Sequence, residues 1–188
     1  MQYETIGNSN TKISKICLGC MSFGSKLDWM IELDDAKPII DCALDLGITF
    51  FDTANAYSNG RSEEIVGELL KNCRNDVVIG TKVRYQMGKD PNDIGLSKEQ
   101  IKKQFLMSLE RLQTKFIDLY QIHRWDYDTP IEETLVAMDE LVKDNQVHHL
   151  GASNMWTWQF AKCVWLCREL NLHRLETMQT HYNLCYRE

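Results

Sequence analysis

Residues 47–57 read Gly47-Ile-Thr-Phe-Phe-Asp-Thr-Ala-Asn-Ala-Tyr57. A helix-ending glycine is followed by a short β-branched and aromatic run. An acid, Asp52, stands where that run stops, and a tyrosine, Tyr57, lies five residues on in a polar loop. Upstream, Asp34 or Asp35 opens an amphipathic helix running to Leu46. Downstream, Ser62-Glu63-Glu64 opens another through Leu69-Leu70. The unit is therefore helix, strand, helix, and it recurs. Strands are predicted around 16–18, 49–52, 77–81, 117–122, 147–152 and 176–179, at intervals of about 32 residues, the size of a βα unit. Ser97-Lys-Glu-Gln100 is a capping box ahead of Ile101, Phe105, Leu109 and Leu112. Thr129-Pro130-Ile-Glu132 combines an N-cap with a proline at the first helical position. A polar hairpin precedes all of this, with arms at 3–6 and 12–13 around a turn at 7–10. Such alternation means a parallel sheet covered by helices. With no composition shift or linker, residues 1–188 read as one domain.

Six βα units fit either an open doubly wound sheet or a barrel. The first β-to-α turn, Gly19-Cys-Met-Ser-Phe-Gly24, has no glycine-rich phosphate loop, which disfavours a dinucleotide fold of the doubly wound type. Polar residues instead collect at the C-terminal ends of successive strands: Asp52, Lys82, His123, Ser153-Asn154 and Gln179. That placement marks the active face of a β/α barrel.

Three of these groups, with Tyr57, suggest one chemistry. A tyrosine hydroxyl titrates near about 10 and gives up its proton poorly at neutral pH unless a cation stabilises the phenolate. Lys82 is placed to supply that charge, Asp52 to hold Lys82 protonated and oriented, and His123 to hydrogen-bond a substrate oxygen. Together they would protonate a carbonyl oxygen while hydride reaches the carbon. Each residue alone has a plainer reading: a turn cap for Asp52, a solvated rim for Lys82, a satisfied core imidazole for His123, a turn aromatic for Tyr57. Their fall on successive strand ends favours the chemical reading.

Composition excludes other classes. Hydrophobic residues at 44% and charged residues at 26% are those of a folded globular chain, and a net charge of −6 without a basic block argues against nucleic acid and anionic membranes. Apolar runs fall far short of the roughly 20 residues a membrane helix needs. With no signal-like N-terminus the expected location is cytoplasmic. Seven cysteines form no even framework, and Cys17 and Cys20, three apart on a strand, face opposite sides, so buried thiols are expected and no metal site. His148 and His149 likewise point apart on their strand.

These motifs resemble the aldo-keto reductases. The stretch 47–57 continues as Gly60-Arg-Ser-Glu-Glu-Ile-Val-Gly-Glu-Leu-Leu70. Val77-Val-Ile-Gly-Thr-Lys82 and Ser108-Leu-Glu-Arg-Leu-Gln-Thr-Lys-Phe-Ile-Asp-Leu-Tyr-Gln-Ile-His123 follow in family order. The sequence is similar to the fungal aryl-alcohol dehydrogenase-like branch through His123-Arg-Trp-Asp126, Thr129-Pro-Ile-Glu-Glu133 and His181-Tyr-Asn-Leu184. The resemblance implies a (β/α)8 TIM barrel and NADPH-dependent reduction of aldehydes or ketones, or the reverse alcohol oxidation. Tyr57 would be the proton donor, aided by Lys82 and Asp52, with His123 orienting the carbonyl. It also implies cofactor contacts from Ser153, Asn154 and Gln179 to the nicotinamide carboxamide, from Asp52 to the ribose, and from Cys20 and Met21 along the cofactor. Trp125 is placed either to wall the substrate pocket or simply to pack. The sequence stops after about six of eight units, so the first and last barrel strands are expected to be open edges that favour self-association. Two other readings stand beside the reductase: a non-catalytic truncated paralogue, and a cofactor-holding regulatory module.

Overall fold

The computed structural model describes residues 1–25 and 27–186. β1 (Tyr3–Thr5) and β2 (Lys12–Ser14) form the antiparallel hairpin. Then β3 (Cys17–Gly19), β4 (Phe50–Asp52), β5 (Val78–Val83), β6 (Ile117–Ile122), β7 (Val147–Ser153) and β8 (Leu175–Gln179) pair in sequence order as one parallel sheet. The connecting helices are α1 (Leu33–Asp45), α2 (Arg61–Leu70), α3 (Lys98–Arg111), α4 (Ile131–Lys143) and α5 (Thr157–Glu169). β5 and β6 are buried along their whole length, because helices cover one face and the barrel interior the other.

The sheet curls into part of a β/α barrel. Strands four places apart in a flat sheet lie about 19 Å from each other. Yet Gln179 at the end of β8 donates to the Asp52 carboxylate at the end of β4, at 3.3 Å. Among the described residues, β3 pairs only with β4 and β8 only with β7, so the two ends of the sheet are open edges.

The hairpin lies across the N-terminal ends of the strands. Ser14 and Thr49 exchange backbone-to-hydroxyl hydrogen bonds at 3.0 and 3.1 Å, and the Tyr3 hydroxyl donates to the Gly47 carbonyl at 3.1 Å. On the far side His149 contacts Thr11 Oγ1 through Nε2 at 2.7 Å and the Glu176 carboxylate through Nδ1 at 2.5 Å. As the strand period requires, His149 is buried while its neighbour His148 is exposed and stacks on Phe116. The seven cysteines are free thiols, and burial pushes that of Cys163 up to about 12.

The helices bury the faces that their spacing predicts. Ser97 Oγ accepts from the Gln100 amide at 3.3 Å, and Ile101, Phe105 and Leu112 behind it are sealed, each such side chain contributing about 1.5–3 kcal/mol. Three helix starts differ from the sequence expectation, two of them because a tertiary partner takes the capping group. α1 begins at Leu33, ahead of Asp34 and Asp35, which fall in its first turn, and the preceding Glu32 pairs with Arg61 at 2.8 Å. α2 begins at Arg61, while Ser62 Oγ donates to the Cys20 carbonyl at 2.7 Å. α4 begins at Ile131 after Pro130, because Thr129 Oγ1 donates to Asp126 at 2.8 Å. No helix among the described residues is long and apolar enough to cross a membrane.

Candidate active site

At the C-terminal ends of the strands, Asp52, Lys82 and Tyr57 meet. The Lys82 side chain is 1% exposed, and an ammonium so enclosed must place all its protons. It does so: Nζ donates to Asp52 Oδ2 at 2.6 Å, to the Thr53 carbonyl at 2.9 Å and to the Tyr57 hydroxyl at 3.3 Å. An ammonium donating to a phenol oxygen stabilises the anion left when that phenol gives its proton away. Asp52 is itself pinned by Gln121 Nε2 on Oδ1 at 3.2 Å and by Gln179 Nε2 on Oδ2.

Tyr57 sits where β4 leads into α2 through three consecutive left-handed residues, Ser58, Asn59 and Gly60, with φ of 49°, 54° and 95°. Serine and asparagine there carry backbone strain of about 1 kcal/mol each. Packing holds them in place: the Ser58 hydroxyl donates to Met30 Sδ at 3.3 Å, and Gly24 passes so close that an added Cβ would stand 2.4 Å from Ser58.

His123 follows β6 and is buried, with the Tyr57 ring edge-on to it at 5.5 Å. Burial first, and the Lys82 ammonium second, push its imidazole down from 6.5 to about 3. The unfolded chain takes up this proton near 6.5 and the folded chain only near 3. The contribution to stability is therefore complete above 6.5 and is lost as pH falls towards 3, at up to about 1.4 kcal/mol per pH unit. Urea unfolding of the wild type and His123→Gln at pH 7, 5.5 and 4 is expected to show the steeper loss in the wild type. Parallel losses would remove this assignment.

Ser153 ends β7, and Asn154 follows in the left-handed region with φ of 48°. The Asn154 amide donates to Ser153 Oγ at 2.8 Å and reaches the His123 carbonyl at 3.5 Å, while its backbone N–H donates to the Gln179 carbonyl at 3.1 Å. Ser153, Asn154 and Gln179 thus form one cluster beside the Asp52–Lys82 pair. Cys20 and Met21 stand on the loop after β3. Cys20 is fully buried and its amide donates to the Asp52 carbonyl at 2.8 Å, so this loop offers a ligand its backbone and the exposed Met21. Trp125 lines a cleft of about 460 Å³ with Tyr127, Trp156, Phe160 and Met178; the cleft borders Asn154 but none of Asp52, Tyr57, Lys82 or His123.

Two participants escape the reading of strand ends. Gln121 holds Asp52, and strand alternation gives the signal: Gln121 and His123 are two residues apart and share a face. The Thr53 carbonyl, the third Lys82 acceptor, has no side-chain signature.

With this geometry in place, comparison with known proteins adds the following. The model of the Aldo/keto reductase family matches residues 15–188. The chain is 38% identical to the aldo-keto reductase dtxS3 of Metarhizium robertsii, covering 100% of this chain and 58% of that protein. It is 36% identical to a putative aryl-alcohol dehydrogenase, C977.14c, of Schizosaccharomyces pombe, covering 99% and 61%. It is also 36% identical to a probable voltage-gated potassium channel subunit beta of Arabidopsis thaliana, covering 98% and 56%. The chain thus spans little more than half the length of the curated relatives it matches.

Proposed function

Since this chain belongs to the aldo/keto reductase family, we propose that it serves the NADPH-dependent reduction of an aldehyde or ketone to an alcohol, or the reverse oxidation of an aryl alcohol. The observation that carries this reading is the Lys82 ammonium, with one proton on Asp52 and another on the Tyr57 oxygen. Tyr57 gives its proton to the carbonyl oxygen, and Lys82 stabilises the phenolate that remains. Asp52, pinned by Gln121, keeps Lys82 charged and aimed. His123, neutral at working pH, orients the carbonyl without a competing charge.

The donor set suits a nicotinamide cofactor. A carboxamide carries both a donor and an acceptor, and the Ser153 hydroxyl with the Asn154 and Gln179 amides matches both, beside Asp52 and the loop of Cys20 and Met21. The chemistry such a cofactor supplies is hydride delivery to the carbonyl carbon. These side chains decide which ring face is presented.

The test is NADPH binding, followed by tryptophan quenching, together with NADPH oxidation by an aromatic aldehyde. Tyr57→Phe is expected to keep binding and lower turnover by about 10²–10⁴-fold. A folded chain that neither binds nor turns over NADPH, or a variant as fast as the wild type, overturns the reading. One relative is named as a probable voltage-gated potassium channel subunit beta, which favours a second reading, a protein that holds cofactor or a partner without turnover; binding without oxidation would support it. We further propose that the 188-residue chain, taken by itself, associates through the unpaired edges of β3 and β8.

A further inference from the structure

A histidine that must present one nitrogen to a substrate is ordinarily oriented by a hydrogen-bond partner on the other. His123 has no such partner: its Nδ1 is sealed from solvent with no hydrogen bond among the described residues. Something else must fix the ring. Two aromatic rings from different loops meet it, Tyr57 at 5.5 Å and 84°, and Tyr85 closer, at 4.7 Å and 79°. Tyr85 lies two residues past the end of β5, in the loop leading to α3, and is half-buried.

That loop is tied down on both sides of Tyr85. The Gly95 amide donates to the Arg84 carbonyl at 2.9 Å, closing the loop at its base. Asp126, in the loop after β6, accepts from the Leu96 amide at 2.9 Å and from Thr129 Oγ1 at 2.8 Å, and lies 3.6 Å from the Arg84 guanidinium. One buried carboxylate therefore holds the loops bearing Tyr85 and His123 in a fixed relation.

We propose that Tyr85 is a positioning residue for His123: its ring, edge-on against the imidazole, replaces the missing hydrogen-bond partner, keeps water from Nδ1 and holds the ring proton on Nε2. An enclosed N–H without an acceptor is rarer than an enclosed lone pair, so the bare nitrogen is Nδ1. The polar groups facing His123 are the Lys82 ammonium with its Asp52 partner, the Tyr57 and Tyr85 phenols, and the Asn154 amide at the His123 backbone carbonyl. None of them is a hydrogen-bond partner of Nδ1. The consequence for carbonyl orientation rests on the reductase reading; the state of the ring does not.

The experiment is long-range proton–nitrogen NMR of the histidine side chains in the ¹⁵N-labelled chain, with His123→Gln assigning the signal. The wild type is expected to show one tautomer, Nε2–H, unchanged from pH 7 to 5. Tyr85→Ala is expected to average the two tautomers and to raise the pH at which His123 takes a proton by about one unit or more, because water then reaches the ring. Tyr85→Phe, which keeps the ring, restores the wild-type signals. A wild-type ring carrying its proton on Nδ1 overturns the proposal, as does a Tyr85→Ala spectrum that retains a single tautomer and titration. No cofactor is needed, so a chain without turnover still answers the question, and a failed NMR result leaves the reductase reading standing.

Discussion

Lys82→Met is expected to destabilise the chain by about 3–5 kcal/mol, the usual result of removing one partner of a buried ion pair. Methionine fills nearly the same space, so packing changes little; what changes is charge. Asp52, 6% exposed, keeps a full negative charge with only the Gln121 and Gln179 amides as donors. The Thr53 carbonyl and Tyr57 hydroxyl lose their donor as well. Adding Asp52→Asn removes the stranded charge while leaving an oxygen for those amides, and the double variant is expected to recover most of the loss. Urea unfolding of the three proteins measures both effects. A single variant within about 1 kcal/mol of the wild type, or a double variant no better than the single, contradicts the account. Turnover is expected to be lost in both variants, because the tyrosine proton then leaves without a cation beside the oxygen.

Glu63→Ala is expected to have a comparable effect from outside the site. Glu63 on α2 is fully buried, accepts from Thr81 Oγ1 at 2.6 Å and pairs with Arg111 Nε on α3 at 2.6 Å. Removing it leaves the buried Thr81 hydroxyl without its acceptor and the part-buried Arg111 guanidinium with Ser108 Oγ at 3.3 Å in place of a carboxylate, for about 3 kcal/mol. Glu63→Gln keeps an oxygen for Thr81 and is expected to lie between. Equilibrium unfolding again decides: if alanine costs less than about 1 kcal/mol, the Arg111 head has found water and the pair is dispensable. Thr81 precedes Lys82 on β5 and faces the opposite side. The pair thus anchors to the helix layer the strand that carries the site's cation.

The strand order and the meeting of Asp52 with Lys82 were legible in the sequence because both follow from short-range rules. A six-strand pattern with polar residues at each strand end leaves little choice of where those ends gather. Capping was less legible: Ser62 and Thr129 are good local cap residues, but the Cys20 carbonyl and Asp126 compete for them across the fold. The Glu63–Arg111 pair was invisible for the same reason, since 48 residues separate its members and only packing of α2 on α3 joins them. Tyr85 gave no signal either, because its importance lies in an angle to His123 that no spacing encodes.

The N-terminal hairpin meets Gly47 and Thr49 early and its other partners late. Thr11 is 138 residues from His149, and Gly7 packs on Glu176. During synthesis at about 5–20 residues per second, some 10–30 s pass between the emergence of the hairpin and that of β8. Through that interval the segment rests on only part of its final surface, and chaperones in the cell keep access to the side that His149 and Glu176 later cover.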